Sequence, residues 1–159
     1  MKKLICVTLI VLGVVAFAFV PTSTTAATEG GTVTGTSQGV FPTGTTLGPV
    51  TLDSLQLGTG VIIDPDSSAV GSFHAVLVGR SLLGELQEIT VEGKVSQGAV
   101  DENGTASFSG VATLDFGDGA TPGPGVPFSV TTSAGSLVLA IESTTLPPAS
   151  LTGGSVTIE

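Results

Sequence analysis

The stretch EITVEGKVSQGAVDENGTASFSGVATLDF, residues 88–116, decides the fold. In its first part Ile89, Val91 and Val95 alternate with Glu88, Thr90, Glu92 and Lys94, the period-two pattern of a strand with one face in a core and one in water. In its last part Phe108, Ala112, Leu114 and Phe116 form an inward set, while Ser107, Ser109, Thr113 and Asp115 point outward. Asn103-Gly104 lies between the two runs. That pair tolerates positive φ and predicts a hairpin with a type I′ turn.

Working outward, the same alternation recurs. SLVLAIE places Leu137, Leu139 and Ile141 inward, and GSVTIE does so with Val156 and Ile158. TSAGSL around Gly135 reads as another hairpin. Upstream, GTVTGTS, GPVTLDSLQL and GVII add further strands, and a phase slip between Leu52 and Leu55 predicts a bulge. RSLLGELQEI could open with a helical turn, because Leu82, Leu83 and Leu86 have helical spacing. The expectation is an all-β fold: an antiparallel meander of about eight strands closed into a small barrel or curled sandwich, which deals with its own edges.

The first 26 residues read differently. Lys2 and Lys3 precede an apolar run from Leu4 to Val20, then Pro21 and a Ser/Thr/Ala stretch, with Thr24 and Ala26 fitting a cleavage pattern. The reading is a signal peptide, 1–26, cleaved near Ala26, and a secreted or periplasmic protein; an uncleaved anchor is the alternative. Residues 27–48, rich in Thr and Gly, form a lead-in or edge strand, and 49–159 a single β domain. Cys6 lies ahead of most of the apolar run, where a lipoprotein signal would not place it.

Composition excludes several functions. The sole cysteine falls in the signal, so no disulfide holds the domain, and its stability must come from burial and backbone pairing. After residue 26 only Arg80 and Lys94 stand against all 13 carboxylates. Nucleic acid and anionic membrane surfaces are therefore excluded as partners, since both need clustered cations.

Little of the sequence looks like chemistry. His74 is the only histidine, no serine sits in a G-x-S-x-G elbow, and a plain strand histidine is the preferred reading. With one His and no Cys after residue 26, zinc is set aside. Calcium would have oxygen ligands at Asp64 and Asp66 in DPDSS and at Asp115 and Asp118 in DFGDG. Neither run matches an EF-hand loop, and Asp beside Gly or Pro is common turn chemistry, so both are read as turns. No catalytic, cofactor-binding or metal residue is assigned. Asn103-Gly104-Thr105 is formally a glycosylation sequon, but the hairpin accounts for it. After Asp118, Pro122, Pro124 and Pro127 stiffen a connecting loop of about eight residues. LPPAS, 146–150, lacks the following apolar span and basic tail of a sortase substrate.

The stretch FGDGATPGPGVPFSVTTSAG, 116–135, with the closing LTGGSVTIE, 151–159, resembles the end of small β-rich modules of bacterial secreted proteins of the post-COAP type. Those modules run from a D-G turn through a Pro/Gly loop into F-x-V/I, a hairpin and a final G-G-x-hydrophobic strand. This chain departs from them in ending at Glu159 and standing alone behind a signal. The resemblance implies a β-rich extracellular fold and carries over no catalytic residue.

Three functions are weighed on these grounds: a secreted non-catalytic module with a structural, adhesive or partner-binding role, a small barrel holding an apolar ligand, and an enzyme using two of the four aspartates. The first is preferred, with an extracellular protein or an apolar small molecule as the partner class. Without Trp or Tyr to stack on sugars, the third has least support.

Overall fold

The computed structural model describes residues 30–159, so the apolar leader and its cleavage site lie outside the described residues. The described residues are all-β, with ten strands in one antiparallel sheet. They are β1 (Gly31–Val40), β2 (Thr46–Leu47), β3 (Val50–Ile63), β4 (Ser68–Arg80), β5 (Leu86–Val100), β6 (Ala106–Asp115), β7 (Gly123–Ser133), β8 (Ser136–Ile141), β9 (Thr144–Thr145) and β10 (Ala149–Ile158). From β3 to β8 each long strand pairs with the next, the meander expected from the turns.

Two further pairings bend this meander into a ring. β1 pairs with β3 on one side and β10 on the other, and β10 reaches β8 only through Ala149↔Leu137 and Ser150↔Ser136. The ring is thus closed by a short seam and is not a regular barrel. Following the ladder from Glu88 through Val78, Ser54, Val40, Ser150 and Ser136 brings one back to β5 near Val100, about a dozen residues further along, so the strands are strongly tilted. Residues 31–40, read as a lead-in or an edge strand, are instead paired on both sides. The reason is non-local: β10, more than a hundred residues away, supplies the second neighbour.

The inward faces are those of the sequence pattern. Ile89, Val91 and Val95 meet Phe108, Ala112 and Leu114 across the β5–β6 ladder, and Leu137, Leu139 and Ile141 are buried on β8. At the centre Phe73 stacks on Phe128, with ring centroids 5.6 Å apart, and tilts against Phe108 at 5.9 Å. Gly93 faces inward beneath Phe128: a Cβ there would lie 2.6 Å from two ring carbons. The expected bulge is present, with Asp53 as the extra residue between Leu52 and Ser54.

Three hairpins share one design. In Asp64–Ser68, Ser81–Glu85 and Asp101–Thr105 the first residue's N–H donates to the carbonyl of the fifth, and the fourth residue's N–H donates to the carbonyl of the first. The fourth residue has positive φ in each: Ser67 at 69°, Gly84 at 82° and Gly104 at 72°. This is a three-residue loop with a left-handed last position, so Asn103 does not enter positive φ and the expected type I′ turn is corrected to the bulged form. The helical turn expected at Leu82–Leu86 is likewise corrected: those leucines occupy the tip of the second hairpin and the first position of β5. Alternation was hidden there because turn positions impose no hydropathy.

The shared design yields a prediction. Ser67 alone holds the left-handed position without being glycine, and its side chain is exposed. Ser67→Gly is therefore expected to stabilise the fold by about 0.5–1 kcal/mol, read as a raised denaturant midpoint at unchanged slope. Gly104→Ser should shift the midpoint the opposite way.

The proline-rich connection ends earlier than expected. β6 ends at Asp115 and β7 begins at Gly123, so Pro124 and Pro127 lie within a strand. Pro127 fits there because its carbonyl accepts the N–H of Glu142 while its own nitrogen has no hydrogen to place.

Candidate functional site

Each of the four aspartates is engaged in a turn. Asp115 Oδ1 accepts the N–H of Gly117 at 2.8 Å, and Asp118 Oδ1 accepts that of Ala120 at 2.9 Å. Asp66 Oδ1 accepts the N–H of Ser68 at 2.9 Å, and the Ser68 hydroxyl donates to Asp64 Oδ2 at 3.2 Å. The Ser68 side chain, and then its amide, hold the Asp66 carboxyl below its ordinary value. A carboxyl lowered in this way supports the turn at neutral pH, and the support fades as pH falls through the carboxylate range.

The two pairs do not converge. Asp64 and Asp66 cap the hairpin after β3, at the end of the ring where β1 begins, whereas Asp115 and Asp118 flank the connection at the other end. Among the described residues no three His, Cys, Asp or Glu side chains come together as a metal group. Asp118→Asn is accordingly expected to change stability by less than about 0.5 kcal/mol, since asparagine accepts the same bond. Thermal unfolding in millimolar calcium and in chelator should superimpose for both proteins. A calcium-dependent rise lost in the variant would contradict the turn assignment.

His74 is exposed on the outer wall, as its strand phase requires. It pairs in register with Gly58 and Glu92, and with Thr36, Gln38, Gln56 and Val76 it borders an open depression of about 460 Å³. A second, of about 510 Å³, is lined by small polar side chains including Ser107, Ser109, Ser129 and Thr131. Neither enters the interior.

Sequence reading missed one carboxylate neighbourhood. Thr90 pairs with Asp115 and Glu92 with Thr113, so Glu92 and Asp115 sit on diagonal outward positions and share a 150 Å³ dip edged by Pro122. Counting register back from the 101–105 hairpin would have found this, once the slip between Val95 and Gln97 was allowed for. The other lining residues of this small dip are Thr90 and Thr113, so no further charged group joins the two carboxylates there.

The interior is occupied. Phe73, Phe108 and Phe128 fill the middle, Ile63 packs where a side chain at Gly98 would stand, and Thr59 Oγ1 is the one buried side-chain oxygen or nitrogen without a partner among the described residues. A further hollow lies at the end of the ring beneath 117–123, about 280 Å³, lined by Leu114, Phe116 and Val126 together with Asp118 and Glu142.

Exposed large hydrophobics gather at the second hairpin tip, with the cross-strand pair Ile62 and Val70 as a smaller group elsewhere on the wall. Leu82, Leu83 and Leu86 are 85%, 86% and 66% exposed. The turn does not call for them: the positions held by Leu82-Leu83 are Pro65-Asp66 and Glu102-Asn103 in the sister hairpins. Arg80 donates to the Gly84 carbonyl at 3.3 Å and lies 3.9 Å from Asp53, which fixes the base of the tip without covering it.

No family model, no curated protein and no solved structure matches this chain.

Proposed function

We propose that this is an exported, non-catalytic β module whose role is to hold a partner, with the 81–86 hairpin as its contact. The observation that carries the reading is the leucine tip. Leu82 and Leu83 remain in water at loop positions that hold Pro65-Asp66 and Glu102-Asn103 in the two sister hairpins, Leu86 stands exposed beside them where the sisters have alanine, and burying each leucine in a partner would contribute about 1.5–3 kcal/mol. Turn-bound aspartates and a lone exposed histidine favour a binding role over catalysis. The leader and the resemblance of residues 116–159 to secreted modules support an extracellular setting.

The test is a photoreactive side chain placed at position 82, and at Asn103 as control, in protein made by its own cells. A crosslinked species from position 82 and none from position 103 is the expected result; equal yields would refute the assignment. Mass spectrometry of the same protein should find a chain starting near Ala27.

A second reading, an apolar ligand, is favoured by the 280 Å³ hollow rather than by the packed interior. An apolar dye whose fluorescence rises on mixing and falls with Val126→Asp would place it ahead of the first.

A further inference from the structure

The far edge of β10 has no neighbour among the described residues beyond Leu151, whose N–H donates to the Gly135 carbonyl at 3.0 Å. On its other side Thr32 and Glu159 exchange two backbone hydrogen bonds, at 2.7 and 3.0 Å, so Ser155, Thr157 and Glu159 turn their N–H and C=O groups toward β1. By the alternation of an antiparallel ladder, Val156 and Ile158 turn theirs outward from the ring, toward the free edge. Exposed edges are ordinarily guarded by lysine, proline or an inward charge. LTGGSVTI, 151–158, has none of these; its one bulge, with Thr152 as the extra residue between Leu151 and Gly153, lies ahead of the residues from Ser155 on.

We infer that this edge pairs with the same edge of a second copy, as an antiparallel two-fold contact centred on Thr157. That centring sets Val156 opposite Ile158 of the partner subunit, and the two exchange the backbone bonds each has free. It also continues the half-buried inward stripe of Val156 and Ile158 with an identical stripe, and sets threonine against threonine on the wet face. Charge permits it. The two Glu159 side chains fall about 13 Å apart along the strand, beyond the screening length of about 8 Å at physiological salt. One strand pair covers less than the roughly 1,200–2,000 Å² of a lasting interface, so the dimer is weak and concentration-dependent. The inference does not use the leucine tip.

Sedimentation of the chain from Ala27, from micromolar to millimolar concentration, tests it together with amide exchange. The expected result is a monomer at the low end and a dimer at the high end. The N–H groups of Val156 and Ile158 should exchange freely in dilute protein and become protected with concentration, while those of Ser155 and Thr157 are protected throughout. Thr157→Lys, an exposed change that sets like charges across the two-fold, should move dimer onset to at least about tenfold higher concentration with the monomer's spectrum intact. A monomer at every concentration would overturn the inference. So would a dimer that survives Thr157→Lys or disappears with Leu83→Ser.

Discussion

Phe73→Ala is expected to lower stability by about 3–5 kcal/mol, a large part of the 5–15 kcal/mol that holds an ordinary domain. The ring is 1% exposed and touches both other phenylalanines of the centre, so its removal takes away one stacked and one tilted partner together and leaves a void bounded by rigid strands. Strands from opposite parts of the meander meet there, and none can close the gap without breaking its ladder. The measured midpoint should fall by roughly 10–20 °C. A fall of only a few degrees would mean that the interior relaxes more freely than a packed core does. Phe73→Leu should recover more than half of the loss.

Gly93→Val is expected to cost about 3 kcal/mol, although valine is the better strand former. Gly93 lies in the middle of β5, and the outer edge of the Phe128 ring occupies the space its side chain would take. Two ring carbons 2.6 Å from a new Cβ must move, and Phe73 stacked beyond Phe128 limits where they can go. A double-mutant cycle isolates the cause: Phe128→Leu should destabilise the wild type more than it destabilises Gly93→Ala, with a coupling near 1 kcal/mol or above. If Gly93→Ala proves neutral, Phe128 has another low-energy position and the assigned packing is wrong.

This glycine shows what the sequence could and could not reveal. The strands of 88–116 were legible because their period-two pattern reports burial directly, and the slip near Leu52–Leu55 revealed a bulge for the same reason. Gly93 also faces inward, but a residue without a side chain leaves no mark in a hydropathy pattern. The contact that requires it comes from Phe128, two strands away in the ring.

Long-range pairing escaped for a related reason. Nothing within 31–40 says that Val33 will lie beside both Val61 and Ile158, so β1 could only be read as a lead-in or an edge. The leucines of 82–86 carried a real signal that was assigned to the wrong cause: their spacing fits a helical turn, but they are a solvent-facing tip. For the candidate site, turn chemistry at Asp64, Asp66, Asp115 and Asp118 was legible residue by residue. The Glu92–Asp115 neighbourhood depended on register and was not.

The mutual hydrogen bonds of Thr32 and Glu159 give the closed ring one more consequence. Because these residues sit side by side, the linear order of strands is almost incidental to the finished shape. A short bridge from Glu159 back to Gly31, with new ends cut into the exposed Asp101–Thr105 turn, would keep every ladder while making β10 and β1 consecutive. In the original chain the ladder that joins the two chain ends is β1–β10, with the whole meander as its loop. The rearranged chain turns that encounter into a local hairpin and makes β5 and β6 the distant ends instead, so it should reach the same fold with the closing contact moved to another ladder of the ring.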